Sequence, residues 1–197
     1  MLIELSDLRD LDARAVTLSA HVVDTVTPDD LGRPTPCTGW TVADLLRHLI
    51  AQHRGFAAAA HGGSDWELPA LDDDPAAQYR KAADDLVAAF ATIEDPHQPL
   101  AIPDFGAQPT PAGFAITAHA VDYLVHGWDV AAAVGQPFTP ENDLVDALLP
   151  IVLSLPDDER RTEPGRPFAP GLPQVPGTPA LDQLLRALGR DPHWLPS

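Results

Sequence analysis

Two side chains that could bind one metal ion stand a single helical turn apart in a strongly apolar stretch of this sequence. Asp122 and His126 belong to residues 117–130 (TAHAVDYLVHGWDV), which read as helix. A spacing of four places both side chains on one helical face. A helix that is apolar nearly all round is buried, and a buried charge needs an ion pair, a hydrogen-bond network or a metal. The stretch therefore predicts half of a metal site, with a direct Asp122–His126 pair as the plainer alternative.

Two further polar side chains, His119 and Asp129, fall in the same sector of the helix. His119 precedes Asp122 by about one turn, so it is either a fourth ligand or proton carrier, or a structural histidine, which is the more common role. Asp129 could hold the second ring nitrogen of a ligand histidine. An ion pair at the helix surface or at the helix C-terminus accounts for it equally well.

A third candidate ligand lies on another predicted helix. Residues 41–61 begin with Thr41 as N-cap and Asp44 as its capping-box partner, and His48 lies at the edge of the apolar side of this helix. A histidine in that position is structural more often than a ligand. Cys37, in the proline-containing loop before the helix, is either a reactive thiol or a small buried side chain, and the lack of basic neighbours in sequence favours burial.

Apolar residues that recur every three or four positions predict the helices that must position these groups. The predicted segments are 6–26 (with Ser6 as N-cap), 41–61, 75–93, 110–134, 140–153 and 178–188. Because strand patterns are few, we expect an all-α bundle, whose core is a common place for facing helices to build a metal site. Residues 1–155 should form the bundle. Residues 156–197 should form a Pro-rich strap, which includes Pro164 and Pro167, and a short helix that packs on the bundle.

The formal net charge of −17 excludes several kinds of partner. Nucleic-acid backbones and anionic membranes would both be repelled, so neither is expected to bind. No apolar run reaches the roughly 18 residues of a membrane span. The first ten residues lack the basic and apolar regions of a secretion signal, which predicts a cytoplasmic protein. Cys37 is the only cysteine, so the chain cannot form an internal disulfide.

Two motifs give the sequence a family resemblance. Residues 36–49 (PCTGWTVADLLRHL) and 121–130 (VDYLVHGWDV) resemble the motifs of the mycothiol-dependent maleylpyruvate isomerase N-terminal family, within the DinB/YfiT-like metal-binding bundles. The end of the chain, residues 168–192, resembles a branch of short actinobacterial members. The resemblance implies a DinB-like four-helix bundle with one or two extra C-terminal helices. It also implies His48, Asp122 and His126 as metal ligands, with aspartate at the position where the best-known member has glutamate.

Two histidines and one carboxylate would leave coordination positions open, which is typical of a catalytic site. Zn²⁺ suits this set best, and Ni²⁺ and Fe²⁺ are also compatible. The resemblance implies mycothiol as a thiol cofactor, and hence a metal- and thiol-dependent transferase or isomerase that acts on a small electrophilic substrate. The alternative is a non-catalytic metal-binding or regulatory module with the same ligands. The isomerase's separate C-terminal domain is not expected here, which argues against maleylpyruvate as substrate, and a homodimer is left open.

Overall fold

The computed structural model describes residues 4–163 and 168–196, so the extreme N-terminus and both Pro164 and Pro167 of the predicted strap lie outside the described residues. Its helices are α1 (Leu5–Val23), α2 (Val42–Ala60), α3 (Pro75–Ala91), α4 (Ala112–Val134), α5 (Asn142–Ser154) and α6 (Ala180–Ala187). Two-residue strands β1 (Pro99–Leu100) and β2 (Thr110–Pro111) pair antiparallel. Short 3-10 turns occupy Pro28–Asp30, Pro103–Phe105 and Glu159–Thr162. The prediction of an all-α fold is confirmed.

The chain divides into two compact units, Met1–Phe138 and Thr139–Ser197. The first unit contains α1 to α4, and the second contains α5 and α6. The predicted boundary between the bundle and the C-terminal segment lies at residue 155. The division by contacts falls before α5, because α5 packs against α6.

The first unit is a four-helix bundle in which every helix has two neighbours. Helix α1 packs against α3 and α4, and α2 packs against the same two helices. Fully buried aliphatic and aromatic side chains fill the interior, among them Leu45, Leu49, Leu86, Phe90, Ile116 and Leu124. Gly127 of α4 allows α1 to approach closely, since a Cβ at this position would lie 3.0 Å from the Cβ of Ser19.

Local sequence explains most of the helix ends. Thr41 begins α2 as predicted: its hydroxyl accepts the backbone N–H of Asp44 at 3.2 Å, and the Asp44 carboxylate accepts the backbone N–H of Thr41 at 3.1 Å. Helix α1 instead begins after Glu4, with no side-chain cap, so the expected role of Ser6 is wrong. Helix α4 begins two residues later than predicted, because residues 110 and 111 pair in β2.

Helix α4 is the most enclosed element of the bundle. Sixteen of its 23 residues are buried, and it ends at Gly135, whose left-handed φ of 73° suits glycine. Despite the apolar character of α4, none of the helices in the described parts of the chain combines the length and composition needed to cross a membrane.

The second unit is organised around α6. The chain that precedes this helix runs beside it: the backbone N–H of Leu172 donates to the carbonyl of Arg186 at 2.7 Å, and the Arg186 guanidinium donates to the carbonyl of Pro173 at 2.8 Å. The described part of the Pro-rich segment is therefore fixed to α6 by hydrogen bonds.

Candidate metal site

The three residues expected to bind a metal come together in the bundle. One ligand atom from each of His48, Asp122 and His126 lies within 4.8 Å of the other two. Asp122 Oδ1 lies 3.3 Å from His126 Nε2. Donor atoms around a tetrahedral zinc, each about 2.0–2.1 Å from the ion, lie about 3.3–3.4 Å apart. The three side chains therefore point to one place from two helices, α2 and α4.

Two features of the sequence produce this arrangement. Asp122 and His126 occupy successive turns of α4, so the helix itself sets their spacing. His48 approaches from α2, and its ring lies edge-on to that of His126, with ring centroids 5.4 Å apart and planes at 76°. Asp122 keeps 21% of its side chain exposed, whereas the His126 side chain is 5% exposed. The group is therefore anchored in the core and open on the Asp122 side.

Burial and mutual charge set the protonation states of the group. Burial lowers the pKa of His48, and the charge of Asp122 opposes this only in part. Burial would raise the pKa of Asp122, but the charge of His126 and its hydrogen bond bring that pKa down to about 2. Burial would lower the pKa of His126, yet Asp122, Cys37 and Asp129 together raise it well above the ordinary value. The carboxylate is thus ionised, and a cation at this place would compete with a proton for His126.

The second nitrogen of His126 is held by another carboxylate. Nδ1 lies 2.9 Å from Oδ2 of Asp129, a residue with no solvent exposure. The Cys37 thiol donates to the same oxygen at 3.1 Å and lies 3.7 Å from Nδ1. Of the two roles left open for Asp129, the geometry matches contact with the second nitrogen of a ligand histidine. Cys37, Asp129 and His126 also form a second group whose ligand atoms lie within 4.8 Å of one another.

The proline-containing loop that precedes α2 places Cys37 beside Asp129. Residues 34–41 fold back on themselves through an isolated bridge between Pro34 and Thr41, and the Thr35 hydroxyl donates to the carbonyl of Trp40 at 3.0 Å. Cys37 is half-buried and its sulfur contacts a carboxylate, so it is not the simple apolar filler favoured by the sequence. Its neighbours in the fold, and not its neighbours in sequence, determine its surroundings.

His119 does not join the ligand group. Its Nδ1 lies 2.6 Å from Oδ1 of Asp12 on α1, and both side chains are buried. Its ring stacks on Tyr123 with centroids 4.1 Å apart, and Tyr123 stacks in turn on His53 at 4.0 Å. The structural role weighed for His119 therefore fits the geometry. Sequence reasoning missed Asp12, although this acid directly follows core residue Leu11 within the apolar stripe of α1 and could have been questioned for that reason.

An aromatic ring and a polar pair lie beside the ligand group. Trp40 is 37% exposed, and its ring packs edge-on against His48 with centroids 5.0 Å apart. One turn after His48, the Gln52 amide donates to the carboxylate of Asp104 at 3.1 Å. Asp104 lies on the exposed 3-10 turn that precedes β2. These residues therefore lie on the His48 side of the group.

Known proteins resemble this chain in fold or in sequence. A mycothiol-dependent maleylpyruvate isomerase crystal structure superposes with a TM-score of 0.62 at 13% identity, over 77% of this chain and 69% of the isomerase chain. An uncharacterised protein of Mycobacterium tuberculosis, from strains CDC 1551 / Oshkosh and ATCC 25618 / H37Rv, is 32% identical over 177 residues, which is 90% of this chain and 94% of the relative.

The sequence match to a known protein family covers most of the bundle. Residues 13–131, which include all three candidate ligands, match the mycothiol maleylpyruvate isomerase N-terminal domain. The chain belongs to the mycothiol maleylpyruvate isomerase N-terminal domain family, and the resemblance drawn from the two motifs is confirmed.

Proposed function

We propose that this protein binds a divalent metal through His48, Asp122 and His126, and that it uses mycothiol to transfer a group to, or isomerise, a small electrophile. The convergence of three ligand atoms from two helices, within 4.8 Å of one another, is the observation that carries the metal-binding part. Family membership and the fold shared with a mycothiol-dependent isomerase support the thiol-dependent part.

The residues present fit a catalytic divalent ion. Two imidazoles and one carboxylate form a borderline set that suits Zn²⁺ and is compatible with Ni²⁺ or Fe²⁺. One ligand atom from each residue would fill three of the four tetrahedral positions and leave the fourth for a ligand from outside the protein. The contact of Asp129 with His126 Nδ1 would leave Nε2, the nitrogen that faces Asp122, for the ion.

A bound divalent ion would supply one kind of chemistry here, a lowered pKa of a thiol that occupies its open position. The remaining work falls to side chains of this chain. Asp129 orients His126, and buried α4 fixes the spacing of Asp122 and His126. Trp40 shields one side of His48 from water. A rigid bundle with one open side is suited to positioning two small reactants beside one centre.

Metal content of the purified protein, produced without a histidine tag, tests the metal-binding part. We expect about one divalent ion per chain by emission spectroscopy, and loss of that ion in His48→Ala and in His126→Ala. Thermal unfolding should move to lower temperature in both variants, because a bound ion stabilises the folded state by linkage. His21→Ala, which removes an exposed histidine of α1, is the matched control. Equal metal content in all four proteins would refute the proposed site.

Conversion of a panel of electrophiles, followed with and without mycothiol, tests the thiol-dependent part for both group transfer, which consumes the thiol, and isomerisation, which regenerates it. We expect wild-type turnover with at least one electrophile and loss of that turnover in His48→Ala, with His21→Ala unchanged. Full metal content without mycothiol-dependent conversion of any electrophile would instead favour the non-catalytic metal-binding module. The direct Asp122–His126 contact at 3.3 Å is the observation that favours a third outcome, a plain ion pair, and an absence of metal in the wild type would establish it.

A further inference from the structure

The basic side chains of the first unit all have partners other than the candidate ligands. The sequence places seven Lys and Arg residues in this unit. Five pair with carboxylates, namely Arg14, Arg33, Arg54, Arg80 and Lys81, and two, Arg9 and Arg47, donate to backbone carbonyls. No carboxylate or carbonyl in these contacts belongs to His48, Asp122 or His126.

The two basic residues nearest to His48 in sequence are held by the loop between α2 and α3. Arg47 Nε donates to the carbonyl of Pro69 at 2.9 Å. The guanidinium of Arg54 lies 2.7 Å from the carboxylate of Asp65. In the second unit, the described arginines likewise contact groups of their own unit. Among residues 4–163 and 168–196, every Lys and Arg therefore has a hydrogen-bond or ion-pair partner outside the three candidate ligands.

An acid lies one helical turn from His48 along α2. Asp104 is tied to Gln52 at 3.1 Å, and Gln52 stands one turn after His48 on the same face of α2. Trp40 adds a half-exposed apolar surface against the other side of His48.

The carboxylates around the candidate ligands would balance the charge of a divalent ion. A divalent ion would be compensated by two carboxylates, Asp122 directly and Asp129 through His126. The charge of Asp104 then makes the surroundings of the open position negative overall. An incoming carboxylate would meet the like charge of Asp104, and like charges placed together disfavour binding.

We propose that this site selects uncharged ligands with an apolar body and disfavours carboxylates, with Asp104 as the residue that sets the charge preference and Trp40 as the apolar wall. The inference rests on the proposed metal binding at His48, Asp122 and His126. The substrates of this site would accordingly be neutral electrophiles, and dicarboxylates would be poor substrates.

Two small thiols of nearly equal shape test the charge preference without requiring any turnover. Mercaptoacetate carries a carboxylate where mercaptoacetamide carries a neutral amide. Each is titrated into the Co²⁺-loaded protein, and the thiolate-to-cobalt charge-transfer absorption reports binding. The measured quantity is the ratio of the two dissociation constants, compared between variants so that the different basicity of the two thiols cancels.

We expect Asp104→Asn to shift this ratio about threefold or more toward mercaptoacetate, and Asp104→Lys to shift it further, because like-charge repulsion is first removed and then replaced by attraction. Asp84→Asn, an exposed acid of α3, is the control for loss of one formal charge and should leave the ratio unchanged. Trp40→Ala should weaken phenylmethanethiol more than ethanethiol, because the larger apolar body loses its contact.

The order of measurements separates failure of this inference from failure of the proposed function. Absence of the cobalt d–d spectrum would overturn metal binding, and the inference with it. Cobalt and thiols that bind with the same ratio in wild type, Asp104→Asn and Asp104→Lys would overturn the charge preference alone. Equal losses of both apolar thiols in Trp40→Ala would overturn the role given to Trp40.

Discussion

Replacement of Asp129 by asparagine should weaken metal binding without removing any proposed ligand. Asp129 Oδ2 lies 2.9 Å from His126 Nδ1 and accepts from the Cys37 thiol at 3.1 Å, and the residue is fully buried. Asparagine has the same shape but no charge, and its amide nitrogen cannot accept a hydrogen bond. His126 would then lose the anionic partner that orients its ring and makes Nε2 a stronger donor.

The expected magnitude follows from the general effect of such partners. Loss of a group that supports a ligand histidine typically costs about 10- to 100-fold in metal affinity, or about 1.4–2.7 kcal/mol. In chelator-treated protein, loss of a buried charge-assisted hydrogen bond should lower the free energy of unfolding by about 1.5–3 kcal/mol. Cys37→Ser keeps a donor to Asp129 and should change the metal affinity less than Asp129→Asn does.

Competition for Zn²⁺ against a chromophoric chelator measures the affinity, and denaturant unfolding of the chelated protein measures the stability. Asp122→Asn should lose more affinity than Asp129→Asn, because it removes a ligand, and Asp84→Asn should lose none. An affinity in Asp129→Asn within twofold of the wild type, together with a normal loss in Asp122→Asn, would refute the role given to Asp129.

Three further outcomes are expected, each measured by denaturant unfolding. Asp12→Ala should lower the free energy of unfolding by about 2–4 kcal/mol, because it removes the buried partner of His119 Nδ1; no change would mean that this contact is not formed in solution. Gly55→Ala should cost about 1–3 kcal/mol, since the new Cβ would lie 2.1 Å from the Trp66 ring, and an unchanged stability would show that Trp66 can move away freely. In metal-free protein, the raised pKa of His126 means that folding takes up a proton, so its stabilisation is complete below about pH 6.5 and is lost as pH rises through the folded-state pKa. The stability difference between wild type and His126→Gln should therefore shrink as pH rises above about 6.5, and a difference that grows with pH would contradict the assigned sign.

Features set by neighbours in the chain could be predicted from the sequence. The capping box of Thr41 and Asp44 spans three residues, and the spacing of Asp122 and His126 spans four, so helix geometry alone places each pair together. His48 was different, because its local pattern favoured a structural histidine. The family resemblance, which carries information about the whole fold, identified it as a candidate ligand.

Features that depend on contacts between distant residues could not be predicted. Asp12 meets His119 across 107 positions, and Cys37 meets Asp129 across 92. The first contact depends on the relative orientation of α1 and α4, and the second on the placement of the loop at residues 34–41 against α4. A hydrophobic pattern does not determine these orientations with the precision that a hydrogen bond requires. The contact of Asp104 with Gln52 could not be predicted for the same reason. Asp104 lies in a connecting segment without hydrophobic periodicity, and only the folded chain brings it to Gln52.

The interior histidines show why one end of α4 is suited to a cation and the rest of the core is not. His126 has a carboxylate at each ring nitrogen, at 3.3 Å and 2.9 Å, whereas neither nitrogen of His53 has a hydrogen-bond partner among the described residues. Burial accordingly lowers the pKa of His53 well below the ordinary value, while the acids raise that of His126 well above it. A proton and a divalent ion are stabilised by the same negative potential. The two carboxylates at His126, which His53 lacks, therefore separate the histidine whose surroundings favour a cation from one held in an apolar setting, although both lie in the same bundle core.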